Sequence, residues 1–229
     1  MALYAIGDLH LCLGAHKPMD IFGGAWEGYM DKLDKGISCI QPEDTTVLLG
    51  DLSWALSLDE ATEDFAWINR IPGRKIILKG NHDYWWSTAA KFYSFCEKNG
   101  FSDQLILNNN CYEYNGYAIC GTRGWFFEEE RSGEHDEKVF KRELIRLEAS
   151  LQAAGELPKM VFLHYPPRYK GYTCDEILAL FEKYDVKHCF YGHLHGASHG
   201  LAMEGLWDGV EYRLVSADKL NFLPFCVLS

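Results

Sequence analysis

"KIILKGNHD", residues 75–83, joins an apolar run to a polar cluster. Ile76, Ile77 and Leu78 give way, across Lys79 and Gly80, to Asn81, His82 and Asp83. A tight turn accounts for Gly80 and Asn81, because both residue types tolerate unusual backbone angles. It does not call for an imidazole and a carboxylate beside them. The same construction recurs along the chain. Short apolar runs, several ending in glycine or a polar cluster, are "LYAIG" (3–7), "TVLLG" (46–50), "KIILKG" (75–80), "YAICG" (117–121), "KMVFLH" (159–164), "HCFYG" (188–192) and "EYRLVS" (211–216). Their length and their content of Ile, Val, Leu and Tyr predict strands buried on both faces.

Helical spacing fills several of the gaps. "WEGYMDKLDKGI" places Trp26, Tyr29, Met30 and Leu33 at i, i+3, i+4 and i+7. "DEATEDFAWINRI" opens with acidic residues that suit a helix N-terminus. "EHDEKVFKRELIRLEASLQAA" is the longest helical stretch, with Val139, Phe140, Leu144, Leu147 and Leu151 on one side. Strands alternating with helices predict an α/β domain with much parallel sheet. No repeat, low-complexity tract or linker interrupts the pattern, so residues 1–229 read as one domain. The stretch 122–135, "TRGWFFEEERSGEH", reads as a long loop of the kind that carries function.

Composition narrows the class. Hydrophobic residues make up 48% and charged residues 24%, as in ordinary globular proteins. No apolar run approaches the roughly 20 residues of a membrane span. The opening "MALYAIGDLH" lacks a basic region and is not read as a secretory signal, so a cytoplasmic protein is expected. Eight scattered cysteines without a C-x-x-C pair read as small buried hydrophobes, not as a zinc site. A formal charge of −11 argues against a duplex nucleic acid partner. It leaves room for a small phosphorylated substrate, since bound metal ions reverse the sign inside a cleft.

Polar residues follow the apolar runs as Asp, Asn or His: Asp8 and His10, Asp51, Asn81 with His82 and Asp83, His164, and His193 with His195. In parallel α/β sheets the carboxyl ends of the strands open onto one crevice, so residues distant in sequence converge there. Asp8/His10 and His193/His195 are each i, i+2, which in extended backbone points both members the same way. Leaving His82 and Asp83 aside, seven candidates remain: Asp8, His10, Asp51, Asn81, His164, His193 and His195. Two ions with four protein ligands each need eight bonds, which seven residues supply when one carboxylate bridges. Nitrogen and oxygen donors without thiolate favour manganese, iron or zinc. The pattern thus points to two divalent or trivalent metal ions about 3.5–4 Å apart, an arrangement suited to in-line phosphoryl displacement.

Asp8-x-His10, Gly50-Asp51, Gly80-Asn81-His82-Asp83, the lone His164 and Gly192-His193-x-His195 stand in that order. The set resembles the calcineurin-like metallophosphoesterase family, whose pattern is D-x-H, G-D, G-N-H-[DE], a lone His and G-H-x-H. Every element is present between residues 7 and 195. The resemblance implies a β-sandwich of two mixed sheets flanked by helices. It implies hydrolysis of a phosphate mono- or diester by in-line attack of a metal-bridging hydroxide. By the same resemblance Asp8, His10 and His195, with Asp51, hold one metal. Asn81, His164 and His193, with Asp51 shared, hold the other. His82 is then the catalytic histidine beside the phosphate, and Asp83 its orienting partner.

"GDLSWALS" and "GNHDYWW" lack the arginine and the glutamate of the protein Ser/Thr phosphatase branch, which points to a small bacterial-type phosphohydrolase. A nuclease or cyclic-nucleotide phosphodiesterase with the same centre is the alternative enzyme, and a non-catalytic metal-binding module the alternative class. Arg123 in "GTRGW" reads either as a substrate-phosphate clamp or as a salt-bridged arginine. Tyr84, Trp85 and Trp86 read either as stacking residues or as packing. His16, His135, His188 and His199 fall outside the ordered set, with His199 near enough to line the cleft. Glu128–Glu130 read as a solvated face.

Overall fold

A computed structural model describes residues 1–15, 17, 19–125 and 134–229. The strands begin with β1 (Leu3–Ile6), β2 (Thr45–Leu48), β3 (Arg74–Ile77), β4 (Gln104–Ile106), β5 (Cys111–Tyr114) and β6 (Tyr117–Thr122). They continue with β7 (Lys159–Leu163), the short pair β8 (Arg168–Tyr169) and β9 (Tyr172–Thr173), β10 (His188–Tyr191), β11 (Gly205–Trp207), β12 (Val210–Leu214) and β13 (Phe225–Leu228). One sheet has the order β13-β1-β2-β3-β4, the other β11-β12-β10-β7-β6-β5. Inner pairs are parallel, while β13, β11 and β5 pair antiparallel at the edges, so both sheets are mixed.

The helices are α1 (Tyr29–Ile37), α2 (Thr62–Asn69), α3 (Ala89–Asn99), α4 (Glu134–Ala153) and α5 (Asp175–Lys183). α3 shows how local chemistry sets the ends. The Thr88 side chain accepts from Lys91 N, and the helix stops at Gly100 with φ +69°. Among the described residues no helix is long and apolar enough to cross a membrane.

Side-chain alternation explains why the strand sequences are apolar at every position. Leu3, Ala5, Val47, Ile76, Met160, Phe162 and Phe190 meet between the sheets. The intervening Ile6, Leu48 and Ile77 face α1, α2 and α3, together with Tyr29, Leu33, Phe65 and Phe92. Val161, Leu163, Cys189 and Tyr191 face α4 and α5, with Leu147, Leu151 and Phe181. Helices, sheet, sheet and helices therefore form four layers, and inner strands need apolar residues on both faces.

Three expectations change. β12 is buried on one face only: Val210, Tyr212 and Leu214 are covered, whereas Glu211 and Arg213 are exposed, because this strand lies near the sheet edge. Cys39 and Cys226 are exposed, so the cysteines are not uniformly buried. Trp26 belongs to a 3-10 turn (Gly24–Trp26) ahead of α1, separated from it by Gly28 with φ +62°. The expected loop 122–135 lies largely outside the described residues, as do His16 and Glu128–Glu130. The side chain of His135 is also outside them.

Candidate metal centre

Five strand ends deliver the candidate donors: β1 leads into Asp8 and His10, β2 into Asp51, β3 into Asn81, β7 into His164, and β10 into His193 and His195. Backbone bonds stitch these ends together beyond the sheets. Asp8 N donates to Gly50 O (2.8 Å), His10 N to Asp51 O (2.9 Å) and Gly192 N to His164 O (3.0 Å). Gly7 N donates to Val215 O (2.8 Å). The centre thus sits on a continuation of the ladders.

The chain turns sharply here. Asp8, His10, Asp51 and His193 have φ of 61°, 47°, 50° and 73°. The i, i+2 pairs are therefore not extended, and His193 and His195 go to different clusters. Gly50 turns with them at φ +83°, whereas Gly80 and Gly192 serve close approach. A Cβ on Gly80 would overlap Asp51 Oδ1, and one on Gly192 would lie 2.5 Å from Asp8 Oδ2.

Two groups of donors result. Atoms of Asp8, His10 and His195 lie within 4.8 Å of one another, and so do atoms of Asp51, His164 and His193. Asn81 joins the second group, its Oδ1 2.6 Å from His164 Nε2. Asp51 Oδ2 stands between the groups, 3.9 Å from His10 Nε2 and 3.6 Å from His164 Nε2. All seven sequence candidates are brought together, and all but the His193, His195 and Asn81 side chains are deeply covered.

The donor set fits cations. His164 Nδ1 donates to Leu49 O (3.0 Å), which leaves the Nε2 lone pair aimed at the carbonyl oxygen of Asn81. His195 Nδ1 donates to Asp218 Oδ1 (3.0 Å), while its Nε2 lies 3.4 Å from His10 Nε2. Acceptors turned toward one point call for a positive charge between them.

Acidities follow the crowding. Burial pushes the His195 imidazole down, but the Asp8 and Asp218 carboxylates outweigh it and raise the group to about 10. Burial pushes Asp8 up, and its histidine neighbours, led by His195, bring it net below the carboxylate range. Burial, then the Asp83 and Asp8 charges, drive Asp51 far above its ordinary value. His10 is pushed down by burial and His195, and His193, by burial and His164, to about 3. In the protein alone a proton on His195 thus balances the buried carboxylates. Cations held by the two donor groups would perform that service for the whole set.

Three further carboxylates hold the ligand-bearing loops. Asp83 accepts from Asp51 N (2.8 Å), Leu52 N (2.9 Å), Gly80 N (2.7 Å) and Trp85 Nε1 (2.8 Å). It does not orient the His82 ring, whose buried Nδ1 has no partner; its oxygens are taken up by the backbone around Asp51. Asp64, on α2, accepts from Leu13 N (2.7 Å) and from Ser53 Oγ, tying the segments after β1 and β2. Asp218 accepts from His195 Nδ1 and from Gly196 N (3.0 Å), and lies 3.2 Å from His199 Nε2. Sequence reading misses Asp64 and Asp218. The strand-end rule would find Asp218, which follows β12 in "VSAD".

Aromatic side chains line the centre. Trp54 stacks on His10 (4.9 Å between ring centres) and packs on His82 (4.6 Å). Trp26 meets His10 at 5.7 Å and His195 at 5.8 Å. The 84–86 trio divides: Trp85 is core against Phe65 and Phe92, Trp86 is half-buried beside it, and Tyr84 is exposed next to His82. Arg123 lies 3.6 Å from Glu143, so it is salt-bridged in the protein alone. His188 is at ion-pair distance from Glu211, away from the centre.

Paired nitrogen and oxygen donors at the strand ends of a four-layer sandwich define a metal-binding α/β protein. The chain belongs to the calcineurin-like phosphoesterase family, which is metal-dependent; the family model matches residues 1–197. No curated protein matches the chain. Among solved structures it is similar to a phosphopantetheinyl hydrolase from Mycobacterium tuberculosis, with TM-score 0.58 and 17% identity over 94% of this chain and 88% of that one. It is similar to a protein of unknown function from Aquifex aeolicus, with TM-score 0.56 and 17% identity over 98% and 95%. A Thermus thermophilus protein gives TM-score 0.53 and 16% identity over 84% and 81%. At these identities the likeness is one of fold.

Proposed function

We propose that the chain hydrolyses a phosphate mono- or diester at a dinuclear centre held by Asp8, His10, Asp51, Asn81, His164, His193 and His195. The supporting observation is the pair of donor groups joined through Asp51 Oδ2. Bound there, two ions supply a water of lowered pKa and positive charge for the phosphoryl oxygens.

The chain's own residues do the rest. Asp51 Oδ1 accepts from His82 N (2.8 Å), which fixes His82 at the edge of the donor groups. With Nδ1 buried, Nε2 is the outward nitrogen of the ring. Burial and the nearby His164 and Lys17 charges lower His82 to about 4, so it is neutral before substrate arrives. The negative charge of a phosphate beside it raises that value, and Nε2 then holds the proton that the leaving oxygen needs. Trp54 and Trp26 cover one side and exclude water from His10.

The test is turnover of an aryl phosphate monoester and the matching diester by manganese-loaded protein, with Asp51→Asn as control and metal content measured in both. Turnover lost in the variant, with fewer than two ions retained, is expected. Turnover that survives Asp51→Asn defeats the shared-carboxylate assignment. A diester preference would admit phosphopantetheinyl esters, the class named for the mycobacterial neighbour. Tyr84, exposed beside His82, favours a second reading in which the leaving group is a nucleoside.

A further inference from the structure

Arg123 follows β6 directly, and its carbonyl accepts from Tyr165 N (2.9 Å), which places it one step from His164. Its side chain is only 17% exposed. Nε is buried without a partner, and among the described residues no hydrogen bond leaves any of its five N–H groups. Glu143 is near, at 3.6 Å, but its oxygens are engaged by Thr122 Oγ1 (2.8 Å) and Arg146 Nη1 (2.5 Å). Burying unpaired donors is unfavourable, and a charged group makes it more so. Lys79, half-buried at the end of β3, likewise makes no hydrogen bond or ion pair among the described residues. Arg123, held among the described residues only by an ion pair to Glu143 longer than a hydrogen bond, and Lys79, both following strands that end beside the donor groups, call for an anion in a chain of net charge −11.

Position says which anion. The guanidinium carbon lies 6.0 Å from the centre of the Tyr165 ring and 5.6 Å from that of Trp125. The Tyr165 ring in turn packs on His193 (4.6 Å) and His164 (5.1 Å). One aromatic ring therefore separates Arg123 from the donors that face the scissile phosphate. Building on the hydrolase reading above, we propose that Arg123 and Lys79 form a subsite for a second phosphate of the substrate. The substrate class is then a phosphoester that carries another phosphoryl group beyond the one cleaved. The planar fork of Arg123 offers two parallel N–H donors to such a group, and Lys79 adds a point charge.

Alkylenebisphosphonates with one to six methylenes, compared with methylphosphonate, test this on the metal-loaded full-length chain by calorimetry. At least one spacer should bind about tenfold more tightly than methylphosphonate. In Arg123→Gln that ratio should fall below about threefold, with Arg123→Lys in between, as expected for a charge that lacks the fork. Melting temperature and metal content establish that each variant is folded and loaded. A ratio near one in the native protein overturns the proposal, as does a ratio unchanged in Arg123→Gln. If both affinities fall together, Arg123 holds the cleaved phosphate and the second-phosphate subsite is wrong. Failure of methylphosphonate itself to bind a protein holding two ions sinks the hydrolase reading and this subsite with it.

Discussion

Asp218→Asn changes one atom outside the seven donors and should weaken one metal position selectively. In the native chain Oδ1 takes the Nδ1 proton of His195 and Oδ2 takes Gly196 N, both at 3.0 Å. Asparagine has one oxygen to serve both. Turned toward Gly196, it presents its NH2 to Nδ1 and favours the tautomer that carries the proton on Nε2. That tautomer has no lone pair for an ion. Outer partners of this kind alter metal affinity about 10–100-fold, which is about 1.4–2.8 kcal/mol at 1.4 per tenfold. A chelator-competition titration with Mn²⁺ resolves the two affinities. The position formed by Asp8, His10 and His195 should lose that factor, while the one formed by Asn81, His164 and His193 keeps its own. Nitrogen-15 shifts of His195 in a sample loaded with diamagnetic zinc should report the tautomer change. Two affinities that fall together, or neither falling more than about twofold in a folded variant, would refute the reasoning.

Gly192→Ala brings a Cβ to 2.5 Å from Asp8 Oδ2, so metal content should fall by at least one equivalent, and a full complement of ions would contradict the crowding of that turn. Asp64→Ala strands Leu13 N and Ser53 Oγ as buried donors and should cost about 3 kcal/mol in urea unfolding. Burial, against hydrogen bonds from Ser53, Leu13 and Gly14, leaves the Asp64 carboxyl above its ordinary range. A raised carboxyl contributes stability that is complete below that range and is lost as pH rises through the raised value. The gap between native protein and Asp64→Ala should accordingly shrink with rising pH; a widening gap refutes the sign.

Much of this is readable in the sequence because two periodicities coincide. Ile76, Ile77 and Leu78 are apolar without a break, since one side meets the other sheet and the other side meets helices, and such runs stand out in sequence. The donors stand directly after them, where a parallel sheet gathers its strand ends. The edge strands β4, β5, β11 and β13 escape that reading, as do α3 and α5. Gly205, Leu206 and Trp207 of β11 are all exposed and carry no burial pattern to read. Asp83 falls in the right locality with the wrong task. Sequence adjacency to His82 suggests contact, but the 80–85 turn sends its carboxylate inward to Asp51 N and Trp85 instead.

The left-handed backbone at Asp8, His10, Asp51 and His193 bears on how such a centre is lost over generations. Each of these residues holds a conformation that costs an L-amino acid on the order of 1 kcal/mol and costs glycine almost nothing. Hydrogen bonds from His82 N to Asp51 and from His193 N to Asp8 offset part of that cost, and bound ions would offset the rest. Once a lineage no longer loads them, glycine or asparagine at positions 8, 51 and 193 becomes favourable for folding alone, and each replacement makes return harder. Decay would run as a ratchet wherever the relief of backbone strain exceeds the hydrogen bonds lost with the side chain. Selection of this chain for heat resistance in the presence of a chelator should retrace it, with the first changes at those positions and not in the core.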